Sequence, residues 1–265
     1  MATRAQLLAL YDAAVAAAHP DVCLRPHLPA PPRDGRLYVV GAGKAAAAMA
    51  VAAEAHYRDL GVLHRVAGFT TAPYGTPEAL SVPRPSVIAT LSARHPTPDE
   101  ASVQSAERAL ALVATATQRD LVLVLLSGGA SALWAAPATG LTLADKTGLS
   151  RGLLKCGADI HEMNTVRRHV SRIKGGRLRK ATAAPMLTLA ISDVPGDDPA
   201  TIGSGPTVPD PTTLADARAV LDRRGPAMHA LGLKDDNVFA EYLLVEAGVA
   251  VVPGSGFGAP GHMRR

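Results

Sequence analysis

Short apolar runs, each closed by a glycine-broken polar loop, alternate along this chain with alanine-rich stretches long enough to be helices. Residues 37–40 stop at Gly41-Ala42-Gly43-Lys44, and residues 121–126 stop at Ser127-Gly128-Gly129-Ala130-Ser131. Residues 186–190 stop at Ile191-Ser192-Asp193-Val194-Pro195-Gly196-Asp197-Asp198-Pro199. An apolar run of about six residues bounded by turn signals reads as a buried strand. Strands separated by helices at this spacing predict an α/β fold: a doubly wound, mostly parallel sheet with helices on both faces, a Rossmann-like three-layer arrangement. Such sheets bind ligands at the carboxyl ends of their strands, where these loops lie.

The same periodicities predict helices over residues 5–18, 44–58, 101–117, 160–172 and 214–223, and strands over 37–40, 65–71, 86–91, 121–126 and 186–191. Asp99 is positioned to cap the third of those helices. A further helix opens at Thr142, with Asp145 three residues on as the acidic partner of a capping box. Arg223-Arg224-Gly225-Pro226 reads as a boundary between a domain of residues 1–224 and a short, unrelated αβ tail, 225–265. In that tail 239–247 reads as helix, 249–252 as strand and 254–261 as a glycine-rich loop.

Composition narrows the function classes. Of the 265 residues 48% are hydrophobic but only 3% aromatic, and the formal charge is +4. Single-stranded nucleic-acid binding would interleave basic residues with aromatics, so no nucleic-acid partner is expected. Cys23 and Cys156 have neither metal nor redox spacing. No stretch approaches the roughly 20 apolar residues of a membrane span, and the first helix lacks the apolar core of a signal peptide. These features imply a soluble, cytoplasmic protein without a membrane partner; they leave a homo-oligomer open.

Gly41-Ala42-Gly43-Lys44 sits on a strand-to-helix turn, where backbone amides can hold an anion and Lys44 adds a mobile positive charge. It is not a Walker A loop, since the upstream glycine and the Ser/Thr after the lysine are missing. It fits the loose G-x-G-x-x-A dinucleotide form, but the acidic residue that should end the next strand is replaced by Gly68-Phe69-Thr70-Thr71. Tight packing accounts for the glycines equally well. Ser127, Gly128, Gly129 and Ser131 form a second candidate nest for phosphate, and Ser204 and Thr207 offer hydroxyls to the same chemistry. Val166-Arg167-Arg168-His169-Val170-Ser171-Arg172-Ile173-Lys174 would ordinarily be a solvated helix face. Arg167 and Lys174 lie seven apart and so share one side of a continuous helix, with Asn164 nearby as an unusual interior residue; these three are the candidates for holding substrate. Asp193, Asp197 and Asp198 can supply oxygen ligands to a hard cation such as magnesium, or serve as turn and cap residues. His95, before Pro96, reads as a structural or exposed loop histidine, and Trp134 and Met49 as core or pocket wall.

Taken in order, these motifs resemble the N-terminal domain of the glycerate 2-kinase family, whose bacterial members are often labelled hydroxypyruvate reductase. The likeness rests on Val39-Val40-Gly41-Ala42-Gly43-Lys44-Ala45, His95-Pro96-Thr97-Pro98-Asp99, Leu126-Ser127-Gly128-Gly129-Ala130-Ser131-Ala132-Leu133, Asn164-Thr165-Val166-Arg167-Arg168-His169 with Ile173-Lys174-Gly175-Gly176, and Ile191-Ser192-Asp193-Val194-Pro195-Gly196-Asp197-Asp198-Pro199 with Gly205-Pro206-Thr207. It implies ATP-dependent, magnesium-assisted phosphorylation of D-glycerate to 2-phosphoglycerate, with Lys44 at the position of the family's catalytic lysine. The chain departs from the pattern at Arg94 and Ala130, where glycine is usual. Family members continue into a second domain, which is expected to be absent here. The alternatives are an NAD(P)-dependent hydroxypyruvate reductase and a non-catalytic, anion-binding remnant. Residues 238–258 resemble instead the C-terminal domain of class I aminotransferases, with Arg264 at their carboxylate-binding position. The cofactor lysine of those enzymes is missing, so transamination is not expected.

Overall fold

The computed structural model describes residues 3–76 and 87–230, with the pairs 252–253 and 263–264. At its centre is a five-stranded sheet in the order β3-β2-β1-β4-β5: β1 Leu37–Ala42, β2 Val66–Pro73, β3 Ile88–Ala93, β4 Leu121–Ser127 and β5 Met186–Ile191. Every pairing is parallel. The expected doubly wound α/β class is therefore what forms. The direction of strand addition reverses between β1 and β4, which hydrogen-bond along their whole length from Leu37↔Leu121 to Ala42↔Leu126.

Alternation along the strands fills both faces. On one face Leu37, Val39, Leu123 and Leu125 pack with Met49, Ala50, Ala53 and Tyr57 of α2 (Ala46–Asp59). On the other, Val40, Ala42, Val122, Val124 and Leu126 meet Ala106, Ala109 and Val113 of α3 (Glu100–Ala114), together with Trp134 and Ile173. The many alanines let these helices approach the sheet closely. Each fully buried Leu or Val contributes about 1.5–3 kcal/mol. A satellite core joins α4 (Leu143–Lys155), α5 (Ile160–His169) and α6 (Leu214–Ala230) through Leu149, Leu153, Met163, Val166, Val220 and Leu221. Trp134 and Met49 lie in the core as expected. The caps expected at Asp99 and Thr142 form, each completing a capping box.

Some expectations need correction. Helix α1 (Arg4–Ala17) forms behind a Thr3–Gln6 capping box but buries none of its residues. Helix α5 stops at His169 rather than running to 172, because Val170 and the loop to the left-handed Gly175 and Gly176 leave helical geometry. Helix α6, expected to stop at 223, continues to Ala230. Just before Pro226 both Arg223 and Arg224 grip Glu162 of α5, at 2.6 and 2.7 Å, fastening the helix there. Of the tail, Val252–Pro253 pairs antiparallel with Met263–Arg264. The helix expected at 239–247, the loop at 254–261, most of the strand at 249–252 and the start of the strand expected at 86 lie outside the described residues.

Candidate active site

The first glycine turn follows β1 and the second follows β4, so both emerge at the reversal of strand order, and they are bonded to one another. Lys44 N–H donates to Gly128 O at 2.8 Å, and Ala45 N–H to Ser127 Oγ at 3.0 Å. Gly43 N–H donates to Thr71 O at 3.1 Å. The amides expected to cradle an anion at this turn are therefore already engaged. The glycines serve close approach instead: a Cβ on Gly41 would lie 2.5 Å from Leu125 O, and one on Gly43 (φ +145°) would lie 2.0 Å from Ser127 Oγ. What remains of the turn for a ligand is the Lys44 side chain.

The second loop keeps its amides open. Among the described residues, the N–H groups of Gly128, Gly129, Ala130 and Ser131 have no acceptor. Gly129 is left-handed (φ +89°), and its missing side chain leaves room for the His95 ring. Gly128 is bare because the Asp193 carboxylate occupies the place of a Cβ. Ala130, where glycine was expected, puts its methyl against Gly203. Successive free amides beside a lysine form a site for phosphate oxygens.

Next to this loop opens a cavity of about 410 Å³, walled by His95, Gly129, Ser131, Lys146, Arg167 and Lys174 among others. Lys174 is 1% exposed, and its Nζ donates to Ser131 O (2.8 Å), Ser131 Oγ (2.9 Å) and Gly203 O (3.4 Å). Burial, with Lys146 and Arg167 nearby, holds its pKa well below that of an ordinary lysine. Arg167 has no hydrogen-bond or ion-pair partner among the described residues, and burial lowers its pKa too. Burial first, and then Lys44, lower the pKa of His95, while Asp193 opposes them.

Both Arg167 and Lys174 reach the cavity, but not from one helix face, since Lys174 lies beyond the end of α5. Asn164 does not line the cavity. Its Oδ1 accepts from Ser204 Oγ at 3.1 Å, and Ser204 Oγ lies 3.1 Å from Ser131 Oγ, so Asn164 and Ser204 brace Ser131 and, through it, Lys174. The remaining basic residues of the stretch are structural. Arg168 pairs with Asp210, Arg172 with Glu107, and Arg177 donates to the carbonyls of Arg168 and Lys174. In the sequence Lys146 has no marked role, and His95 reads as a structural or exposed loop residue. Lys146 sits inside an ordinary capped helix, and His95 becomes notable only because Gly129 lets it approach.

The three aspartates have three different settings. Asp193 faces Gly128 and His95 without a hydrogen-bond donor among the described residues. Asp197 (φ +53°) lines a second cavity of about 640 Å³ with Thr188 and Thr207, whose hydroxyls bond each other at 2.9 Å. Asp198 is a turn cap, accepting from Ala200 N–H at 3.0 Å and Thr201 Oγ1 at 2.7 Å. Among the described residues no group of three or more His, Cys, Asp or Glu side chains converges to hold a metal. The three therefore do not make the joint magnesium site expected of them. A magnesium ion carried on phosphates needs only one or two protein carboxylates, and Asp193 fits that lesser role.

Comparison with known proteins places the site in context. The family model described as "Domain of unknown function (DUF4147)" matches residues 6–231. A putative hydroxypyruvate reductase of Agrobacterium vitis is 49% identical over 226 residues, covering 85% of this chain and 49% of that protein. A glycerate 2-kinase of Pyrococcus horikoshii is 43% identical over 188 residues, covering 71% of this chain and 40% of that one. The crystal structure of the Thermotoga maritima glycerate kinase superposes with a TM-score of 0.70 at 36% identity, covering 81% of this chain and 50% of that one. The chain thus spans about half the length of the curated relatives it matches. Among the described residues no single helix is long and apolar enough to cross a membrane.

Proposed function

The chain belongs to the DUF4147 family, together with glycerate 2-kinases, and on that footing we propose that it binds ATP and D-glycerate for phosphoryl transfer to the 2-hydroxyl. One observation carries the reading: amides at 128–131 without an acceptor among the described residues, the Lys44 side chain and a cavity lined by cations with no carboxylate partner among the described residues meet at the carboxyl ends of β1 and β4. Phosphoryl transfer asks little covalent chemistry of a protein and depends on positioning and charge stabilisation. The glycerate carboxylate would enter the cationic cavity, which leaves the hydroxyl on the adjacent carbon nearest the amide loop. That oxygen attacks the γ-phosphorus, the bond to the β-phosphate bridging oxygen breaks, and ADP departs. The hydroxyl proton passes to a base, for which His95, with its lowered pKa, is suited at neutral pH. Lys44 and the amides of Gly128–Ser131 stabilise charge on the transferring group. Magnesium arriving with ATP would neutralise phosphate charge, with Asp193 its protein ligand.

A hydroxypyruvate reductase is the second reading, because relatives bear that name. Two features disfavour it. Strand β2 carries no acidic residue for a ribose, and the amides a dinucleotide pyrophosphate needs at Gly43–Ala45 are engaged within the protein. An anion-binding remnant is the third. Purified chain is assayed with D-glycerate and Mg-ATP for ADP, and with hydroxypyruvate and NAD(P)H for absorbance loss at 340 nm. ADP formation supports the kinase. NAD(P)H oxidation without ADP formation overturns it, and silence in both leaves the remnant.

A further inference from the structure

Two cations of the acid cavity, Arg167 and Lys174, were legible in the sequence, but Lys146 lies on α4 and was not. We propose that Lys146 and Arg167 are the groups that touch the substrate's anion, with Lys174 behind them, so that the pocket selects acids over neutral polyols. This rests on reading the cavity as the acid-binding subsite.

The division of labour follows from donor counts. An ammonium has three N–H donors. Those of Lys174 all have protein acceptors, at Ser131 O, Ser131 Oγ and Gly203 O. Lys174 therefore holds the loop rather than offering a free donor to a ligand. Lys146 is 5% exposed and lines the cavity, and among the described residues its Nζ makes one bond, to Val170 O at 2.9 Å. Two of its donors remain. Arg167 has a whole guanidinium without a partner among the described residues.

The charges around Lys146 leave an anion as the missing member. Arg167 and Arg177 are positive, Lys174 is a further basic group, and His95 and Arg151 share the cavity wall. The neighbouring carboxylate, Asp145, is turned away to accept from Thr142 N–H and Oγ1 at 2.8 and 2.6 Å. Buried charge persists only where it is paired. Burial first, then Arg167 and Arg177, push the pKa of Lys146 down to about 7. A carboxylate or phosphate entering the cavity reverses that balance and draws a proton onto Nζ, whereas a polyol cannot.

The test is calorimetric titration of the purified chain at pH 8 with D-glycerate, inorganic phosphate and glycerol, in two buffers of different ionisation enthalpy. Both anions should bind with proton uptake, and glycerol should not bind. Lys146→Met should weaken D-glycerate by roughly tenfold or more and remove the uptake, with the thermal melt still cooperative. Lys146→Arg should hold affinity within about threefold while removing the uptake, because guanidinium stays charged. Should the Met variant fail to fold, the Arg variant decides alone: unchanged uptake overturns the proposal. Equal loss of affinity in both variants would make Lys146 a mere strut for Val170 and also overturn it, as would glycerol binding as tightly as D-glycerate. Phosphate binding with Lys146-dependent uptake but no D-glycerate binding would retire glycerate as substrate and leave the acid pocket standing.

Discussion

Replacing Gly43 by alanine tests whether the first glycine turn is a packing device. The new Cβ would lie 2.0 Å from Ser127 Oγ and 2.7 Å from Ser127 O, where ordinary contact begins near 3.4 Å. The hydroxyl must swing aside, which breaks its hydrogen bond from Ala45 N–H. That bond is worth about 0.5–1.5 kcal/mol, and overpacking a tight site adds about 1–3 kcal/mol. Holding a non-glycine residue at φ +145° costs a further 1–3 kcal/mol or so. A loss of at least about 2.5 kcal/mol follows, large against a typical total of about 5–15 kcal/mol. Urea unfolding followed by circular dichroism measures it. Adding Ser127→Gly should recover only part, since the Ser127 carbonyl still clashes. A loss below about 1 kcal/mol for Gly43→Ala would refute the contact between the two strand ends and with it the packing account.

Asp198→Ala should cost about 1 kcal/mol of stability through the lost turn cap and leave ADP formation near wild type. Asp193→Ala should do the reverse, and comparing melts with turnover separates them. Glu162, gripped first by Arg224 and then by Arg223, has its pKa lowered to about 2. Its stabilising contribution is present above the unfolded value of 4.5 and is lost as pH falls from there toward 2. Acid titration should therefore loosen α6 from α5 in that window, and Glu162→Gln should flatten that part of the stability curve.

The sheet was legible because its signal is local: apolar runs such as 121–126 and 186–191 must be buried whichever neighbours they find. The caps at Asp99 and Thr142 were legible for the same reason. The site was legible in part. Arg167 and Lys174 do share a cavity, but through a loop whose left-handed Gly175 and Gly176 end the helix that the basic run suggested. Spacing alone cannot say which amides are engaged, so the Gly43–Ala45 turn looked as open as the loop at 128–131. Lys146 has no role legible in the sequence, and His95 reads there as a structural or exposed loop residue, because only the packing of α4 and the bare Gly129 bring them to the cavity. Asn164 was singled out for its odd place in a helix; it accepts from Ser204 Oγ, which in turn meets Ser131 Oγ, and it does not line the cavity.

The central claim, that Lys44 and the loop at 128–131 form a phosphoryl-transfer site for D-glycerate, is tested most directly by one single-turnover measurement. Purified chain is mixed with γ-labelled Mg-ATP and D-glycerate, and label is followed into 2-phosphoglycerate. The account predicts transfer by the wild type and a drop of at least about a hundredfold in Lys44→Ala, the scale of removing one charge-stabilising group. Equal transfer by both proteins, or label released only as inorganic phosphate, would contradict it.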